Sequence, residues 1–182
     1  MDKGNGSIKR LLIDVLLAVA VAAGILAFIR PTIVNGVSME PTLHSGDYMI
    51  VARQAYIKEG PARGDIVIAK SNVDAEEGSG GKRLIKRVIG LPGDSITIID
   101  AQLYINGEKY VEEYIKDGTT PAEVNPIEGE TVTVPEGCYY ILGDNRWNSM
   151  DSRSSDVGFV NKDDIDGKVI ARLLPINRAG TF

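Results

Sequence analysis

The sequence has little that could support disulfide or metal chemistry: one cysteine, Cys138, and one histidine, His44, in 182 residues. A single cysteine excludes an internal disulfide framework. It does not fix the compartment, because exported domains without disulfides are common. A lone histidine and a lone cysteine also give no zinc-ligand spacing, so the reading implies neither a metal nor a cofactor. Positive charge is not in excess either, with 20 Lys and Arg against 25 Asp and Glu. Residues 1–30 hold four basic and two acidic residues; taking these away leaves 16 and 23, a balance of −7 for the remainder. A domain that acidic is a poor partner for a phosphate backbone, so no nucleic acid is expected.

Polar residues are almost missing from one stretch. Between Leu11 and Ile29 the only charge is Asp14, near its start. As a helix this run would span about 28 Å, close to the roughly 30 Å of a bilayer's hydrocarbon core. Lys3, Lys9 and Arg10 precede it and Arg30 alone follows. The positive-inside rule then puts residues 1–10 in the cytoplasm, a single transmembrane anchor at 11–29, and the remaining domain outside the plasma membrane. A cleavable leader would place small-x-small triplets just after a short apolar core, whereas Ala18-Val19-Ala20 lies inside a long one.

After residue 31 helical periodicity is scarce. Short alternating or apolar runs recur instead at Tyr48–Arg53, Asp65–Lys70, Leu84–Ile89, Ser95–Asp100, Gln102–Ile105, Thr131–Val134, Tyr139–Leu142 and Gly167–Leu173. Turn signals separate them, among them Leu91-Pro92-Gly93-Asp94 and the hairpin pair Asn106-Gly107, while Gly78-Ser79-Gly80-Gly81 reads as a surface loop. The expected architecture is mainly β: an N-terminal transmembrane helix, then an antiparallel β catalytic core over 31–100 and 138–182. A small, more polar β subdomain is inserted at 101–137.

Three polar segments interrupt this pattern. The first is Asn35-Gly36-Val37-Ser38-Met39-Glu40-Pro41-Thr42-Leu43, a stiff turn able to present a serine hydroxyl beside free backbone N–H groups, although most such segments are ordinary turns. A serine nucleophile needs a base. His44 lies only six residues away in the same local segment and reads as an ordinary turn histidine, which leaves lysine. Lysine acts as a base only when neutral, so its pKa must fall by roughly 2–3 units through burial among apolar neighbours. Leu84-Ile85-Lys86-Arg87-Val88-Ile89 offers that setting. Periodicity does not decide which basic residue is buried, but arginine does not give up its proton, so Lys86 is the only base of the pair. The third segment runs from Gly143 to Arg153 and reads by itself as a solvated loop. It contains a second serine able to orient an amine, and charges that could pair as Asp151 with Arg153 and Asp144 with Arg87.

In this order the segments resemble the conserved boxes of bacterial type I signal peptidases. The likeness covers nearly the whole chain: an N-terminal anchor, Ser-Met-x-Pro-Thr-Leu at 38–43, Arg-Gly-Asp-Ile-Val at 63–67, Ile-Lys-Arg-x-x-Gly-Leu-Pro-Gly-Asp at 85–94 and Gly-Asp-Asn-Arg-x-Asn-Ser-x-Asp-Ser-Arg at 143–153. The resemblance implies a Ser38/Lys86 dyad, with Ser149 hydrogen-bonded to the Lys86 amine. It also implies support from Asp151, Arg153, Asp144 and Arg87, and an oxyanion contact from the Ser38 N–H. Shallow substrate pockets would be walled by Val34, Gly36, Met39, Leu43 and Ile85, and would accept small residues at the first and third positions before the cut. Substrates would be preproteins emerging from the secretion translocon, and membrane lipid would surround the anchor. Two features depart from some members. Gly36 replaces a serine whose hydroxyl gives a second oxyanion donor, as in the Gram-positive branch, and Trp147 stands where a polar residue is usual. The indole would either rest on the bilayer or cap the site. Two rival readings are a self-cleaving Ser/Lys repressor-type protease and a non-catalytic anchored binding domain on the same scaffold.

Overall fold

Helix formers dominate the first apolar stretch, and helix α1 covers Lys3–Phe28. The computed structural model describes residues 3–71 and 82–182, with helix side chains described at 8–24, 26 and 28; the tract at 78–81 lies outside the described residues. Large apolar side chains along α1 are exposed, Leu11 at 63% and Leu16 at 68%. Among the described residues, no helix is long and apolar enough to cross a membrane. Ile29, placed in the anchor by composition, opens the first strand instead.

Among the described residues twelve strands follow: β1 Ile29–Ile33, β2 Tyr48–Ala52, β3 Ile66–Ser71, β4 Lys82–Gly90, β5 Ser95–Ile99, β6 Gln102–Ile105, β7 Glu108–Lys109, β8 Thr131–Thr133, β9 Cys138–Leu142, β10 Val160–Asn161, β11 Ile165–Leu174 and β12 Gly180–Thr181. All their pairings are antiparallel. The larger sheet runs β1-β2-β11-β3-β4-β9-β10, with β12 alongside β11; the smaller runs β7-β6-β5-β8. The mainly β, antiparallel expectation therefore holds. Each of the eight runs read from the sequence overlaps a strand. The strands it missed are two-residue pairings (β7, β10, β12) and β1, whose residues merge into the apolar run.

Alternation along the larger sheet buries both of its faces. Val34, Met39, Leu43, Met49, Val51, Ile66, Ile68 and Val169 form one cluster. Val67, Ala69, Val88, Tyr139, Ile141 and Val160 form another. The smaller sheet packs Ile96, Ile98, Leu103 and Ile105 against Ile89, Tyr140 and Leu142. Its strand β5 lies on the other side of the boundary expected at 101. Asn106 and Gly107 both take positive φ, 54° and 82°, at the β6–β7 turn, as a two-residue hairpin loop requires.

One register detail shapes everything that follows. Strand β9 pairs with β4 only from Arg87 onward, while β3 pairs along β4 from Ile66–Arg87 to Ser71–Lys82. Among the described residues, 82–86 thus have a sheet neighbour on one side only.

Candidate active site

The Ser38 segment is a closed loop. Val34 N donates to the Asp47 carbonyl and Gly46 N to the Val34 carbonyl, both at 2.9 Å, and Leu43 N donates to the Met39 carbonyl at 2.9 Å. Met39 and Leu43 are buried and fix the loop to the core. Gly36 has φ +103°, a conformation that strongly favours glycine. A serine would be strained at this position.

Lys86 sits on the buried side of β4 with Leu84 and Val88, and is 2% exposed. Its Nζ donates to Ser38 Oγ at 2.7 Å and to the Ile85 carbonyl at 3.1 Å. Burial pulls its pKa down from 10.5 to about 8, against the opposing pull of the Asp151 and Asp144 carboxylates. A lysine so placed is neutral in a substantial fraction of molecules near pH 8, and its lone pair can take a proton from the hydroxyl beside it.

Loop 143–153 packs over the serine. Asn145 N donates to the Ser38 carbonyl at 3.0 Å, and Asn145 Nδ2 to the Val37 carbonyl at 3.2 Å. Gly143 N donates to Asp151 Oδ2 at 3.0 Å. Arg153 grips Asp151 through Nε at 2.8 Å and Nη2 at 2.9 Å, with both side chains fully buried. Arg87 holds Asp144 through Nε at 2.9 Å and Nη2 at 2.6 Å. These paired geometries are bidentate and charge-assisted, which makes them stronger and more specific in geometry than neutral hydrogen bonds.

A groove of about 380 Å³ runs beside the Ser–Lys contact, walled by 32–39, Ile68, 82–86, Asn148 and Met150. Its lining is mostly apolar, and the one-sided stretch of β4 forms one bank.

Comparison with known proteins settles the family. The family model described as "Signal peptidase, peptidase S26" matches residues 7–174. A signal peptidase I of Bacillus licheniformis is 39% identical over 168 residues, 90% of this chain and 87% of its own. Signal peptidase I U of Bacillus subtilis strain 168 is 38% identical over 145 residues, 78% of this chain and 74% of its own. The chain belongs to the signal peptidase family, peptidase S26. A crystal structure of a signal peptidase I from Enterococcus faecalis V583 is 35% identical, covering 60% of this chain and 97% of its own, with a TM-score of 0.46.

Against this signal peptidase scaffold, two expectations from sequence need correction. Ser149 was expected to hydrogen-bond the Lys86 amine, but its buried Oγ has no partner among the described residues. The amine's contacts go to Ser38 Oγ and the Ile85 carbonyl instead. Leu43 was expected to wall a substrate pocket, yet it is fully buried in the core and absent from the groove lining. An apolar residue in a turn is equally suited to either place, and sequence does not separate them. Val34, Gly36, Met39 and Ile85 do line the groove.

Other outcomes concern residues left open or without a role. Among the described residues Ser38 Oγ accepts from Lys86, whereas His44 Nδ1 is buried and unpartnered. Trp147 is 63% exposed, donates to Thr119 Oγ1 at 3.1 Å, and is not part of the groove lining. Sequence reasoning missed Asp47, fully buried, which accepts from His44 N, Arg172 and Arg178 and so fastens the Ser38 loop to the C-terminal region. It also missed the buried pair Arg146–Glu112. Both join residues too far apart in the chain for any spacing rule to connect.

Proposed function

We propose that this signal peptidase is held in the plasma membrane by α1, N-terminus inside, and removes signal peptides from exported preproteins after a small-x-small motif. Ser38 is the nucleophile and Lys86 the general base. The observation that carries this reading is the 2.7 Å contact between Lys86 Nζ and Ser38 Oγ on a lysine that burial has made abnormally acidic.

In the first step neutral Lys86 accepts the Ser38 proton as Oγ attacks the scissile carbonyl. The resulting oxyanion meets the Ser38 N–H, which donates to no described residue. Lysine then returns its proton to the departing amine, and the mature protein leaves. In the second step Lys86 deprotonates a water that hydrolyses the acyl-enzyme and frees the signal peptide. The substrate lies extended in the groove and adds a strand to the one-sided stretch 82–86, with small side chains entering the shallow apolar spaces. Support for the anchor comes from the single-charge run at 11–29 and the exposed apolar side chains of α1. Confinement to the membrane surface would raise the local concentration of substrates held there by their own apolar segments.

The test uses the full chain in detergent or proteoliposomes with a preprotein, beside Ser38→Ala and Lys86→Ala. Cleavage at one site by the wild type and loss in both variants is the expected result. Equal cleavage by all three would end the dyad. Extraction of the full chain from membranes by alkaline carbonate would end the anchor.

A further inference from the structure

The segment between β7 and β8 carries three buried or half-buried polar side chains that reach toward the Ser–Lys site. Its first half is tied to the β5–β6 hairpin, Tyr110 N donating to the Leu103 carbonyl and Thr120 N to the Ala101 carbonyl, both at 2.8 Å. Glu112 meets Arg146 in a two-pronged pair, Nη1 to Oε2 at 2.6 Å and Nη2 to Oε1 at 2.5 Å, each side chain only 1% exposed. The Arg146 fork is completed by Thr120 Oγ1, and its Nε donates to the Gly143 carbonyl at 2.9 Å. Tyr114 donates its hydroxyl to Glu112, and its ring lies under the Arg87 guanidinium at 3.9 Å.

We propose that Glu112 is a positioning residue for catalysis, bracing the Ser38 side of the dyad through Arg146 and the Lys86 side through Tyr114. The first path runs from Glu112 through Arg146 to the Gly143 carbonyl. It fixes the turn whose next residues, Asp144 and Asn145, hold Arg87 and the Ser38 carbonyl. The second runs through Tyr114 to Arg87, the neighbour of Lys86 on β4. Both paths start on one buried carboxylate in the segment that follows β7, so the two halves of the dyad are referenced to the same side chain. Proton transfer between Nζ and Oγ depends steeply on their separation, and displacements of about 1 Å cost about a hundredfold in rate. This gives the inserted segment a role in the reaction although it contributes nothing to the groove lining.

The proposal rests on the Ser38/Lys86 reading, and its test keeps the two apart. Wild type, Glu112→Ala, Glu112→Gln, Thr120→Val and Ser38→Ala are prepared as full chains, and turnover of a preprotein is measured per active site, counted by an acylating titrant. Tests are run well below each variant's thermal transition. If the pair only adds stability, its loss would lower that transition and leave turnover per site unchanged. Positioning predicts a kcat loss of about ten- to a hundredfold for Glu112→Ala with KM within about twofold. Glu112→Gln, which still accepts from Arg146, should recover most of that loss. Should Glu112→Ala not fold, Thr120→Val removes one contact of the Arg146 fork at constant volume and is expected to lower kcat about threefold. Turnover per site within twofold of wild type in folded Glu112→Ala, or in Thr120→Val if Glu112→Ala does not fold, overturns the proposal. An active Ser38→Ala protein would instead overturn the dyad.

Discussion

Gly143 lies so close to Ser38 that a β-carbon on it would come 2.4 Å from the Ser38 carbonyl oxygen and 2.2 Å from Ser149 Oγ. The backbone oxygen cannot give way without moving the serine, and real β-carbons do not approach other atoms this closely. Gly143→Ala is therefore expected to displace the nucleophile and lower kcat/KM by about a hundredfold. Steady-state cleavage of a small-x-small peptide checks it, and wild-type rates would show that the loop can open freely.

The pH profile should show the amine directly. With the Lys86 pKa brought down to about 8 by burial, kcat/KM should rise with pH and bend near 8. An ordinary lysine would leave the rate still climbing toward 10. A flat profile between pH 6 and 9 would remove Lys86 as the base.

The same residue should make the fold less stable at neutral pH. Below pH 8 both folded and unfolded chains hold the Lys86 proton, and the folded chain bears the full cost of burying the charge, about 3 kcal/mol. Between about 8 and 10.5 the unfolded chain binds more protons, so stability rises with pH across that window. Replacing Lys86 with Met should raise stability at pH 7 and flatten this rise. Urea unfolding at pH 7 and pH 10 measures both effects.

Acid should loosen the Ser38 loop. Burial alone would raise the Asp47 pKa, but the His44 N–H and the Arg172 and Arg178 guanidiniums outweigh it and hold the pKa below its usual value. Asp65 and Asp94 are held low in the same sense by Lys168 and Arg63, together with backbone N–H groups. Folded pKa values below the unfolded ones give stability that is complete above about pH 4 and is lost as pH falls through the folded values. Asp47→Asn should cost about 2 kcal/mol at pH 7, less than for a fully buried pair because the Arg178 side chain is 35% exposed. Its acid transition should also be shallower than that of the wild type.

Ile85 is half-buried, packs against the core and lines the groove. Ile85→Ala should widen the apolar space for the substrate. Discrimination against a leucine in place of alanine before the cut is then expected to fall about tenfold. Competing peptide substrates in one reaction give the ratio directly.

Local chemistry decided a great deal without the structure. Alternating runs located the longer strands because period-two burial writes itself into sequence, and Lys86 was singled out because arginine does not release a proton. The Ser38–Lys86 candidates came from adding the resemblance to that reasoning. What the chain could not announce were contacts between distant positions. Glu112 with Arg146, Asp47 with Arg172 and the approach of Gly143 to Ser38 join residues 34, 125 and 105 apart, and no spacing rule spans such gaps. Nor could it say that Leu43 belongs to the core while Ile85 lines the groove, or that the Ser149 hydroxyl lacks the amine as partner. Composition sets how much apolar surface must be hidden. Only the packed sheets choose which atoms meet, because burial and hydrogen bonding are settled by neighbours in space.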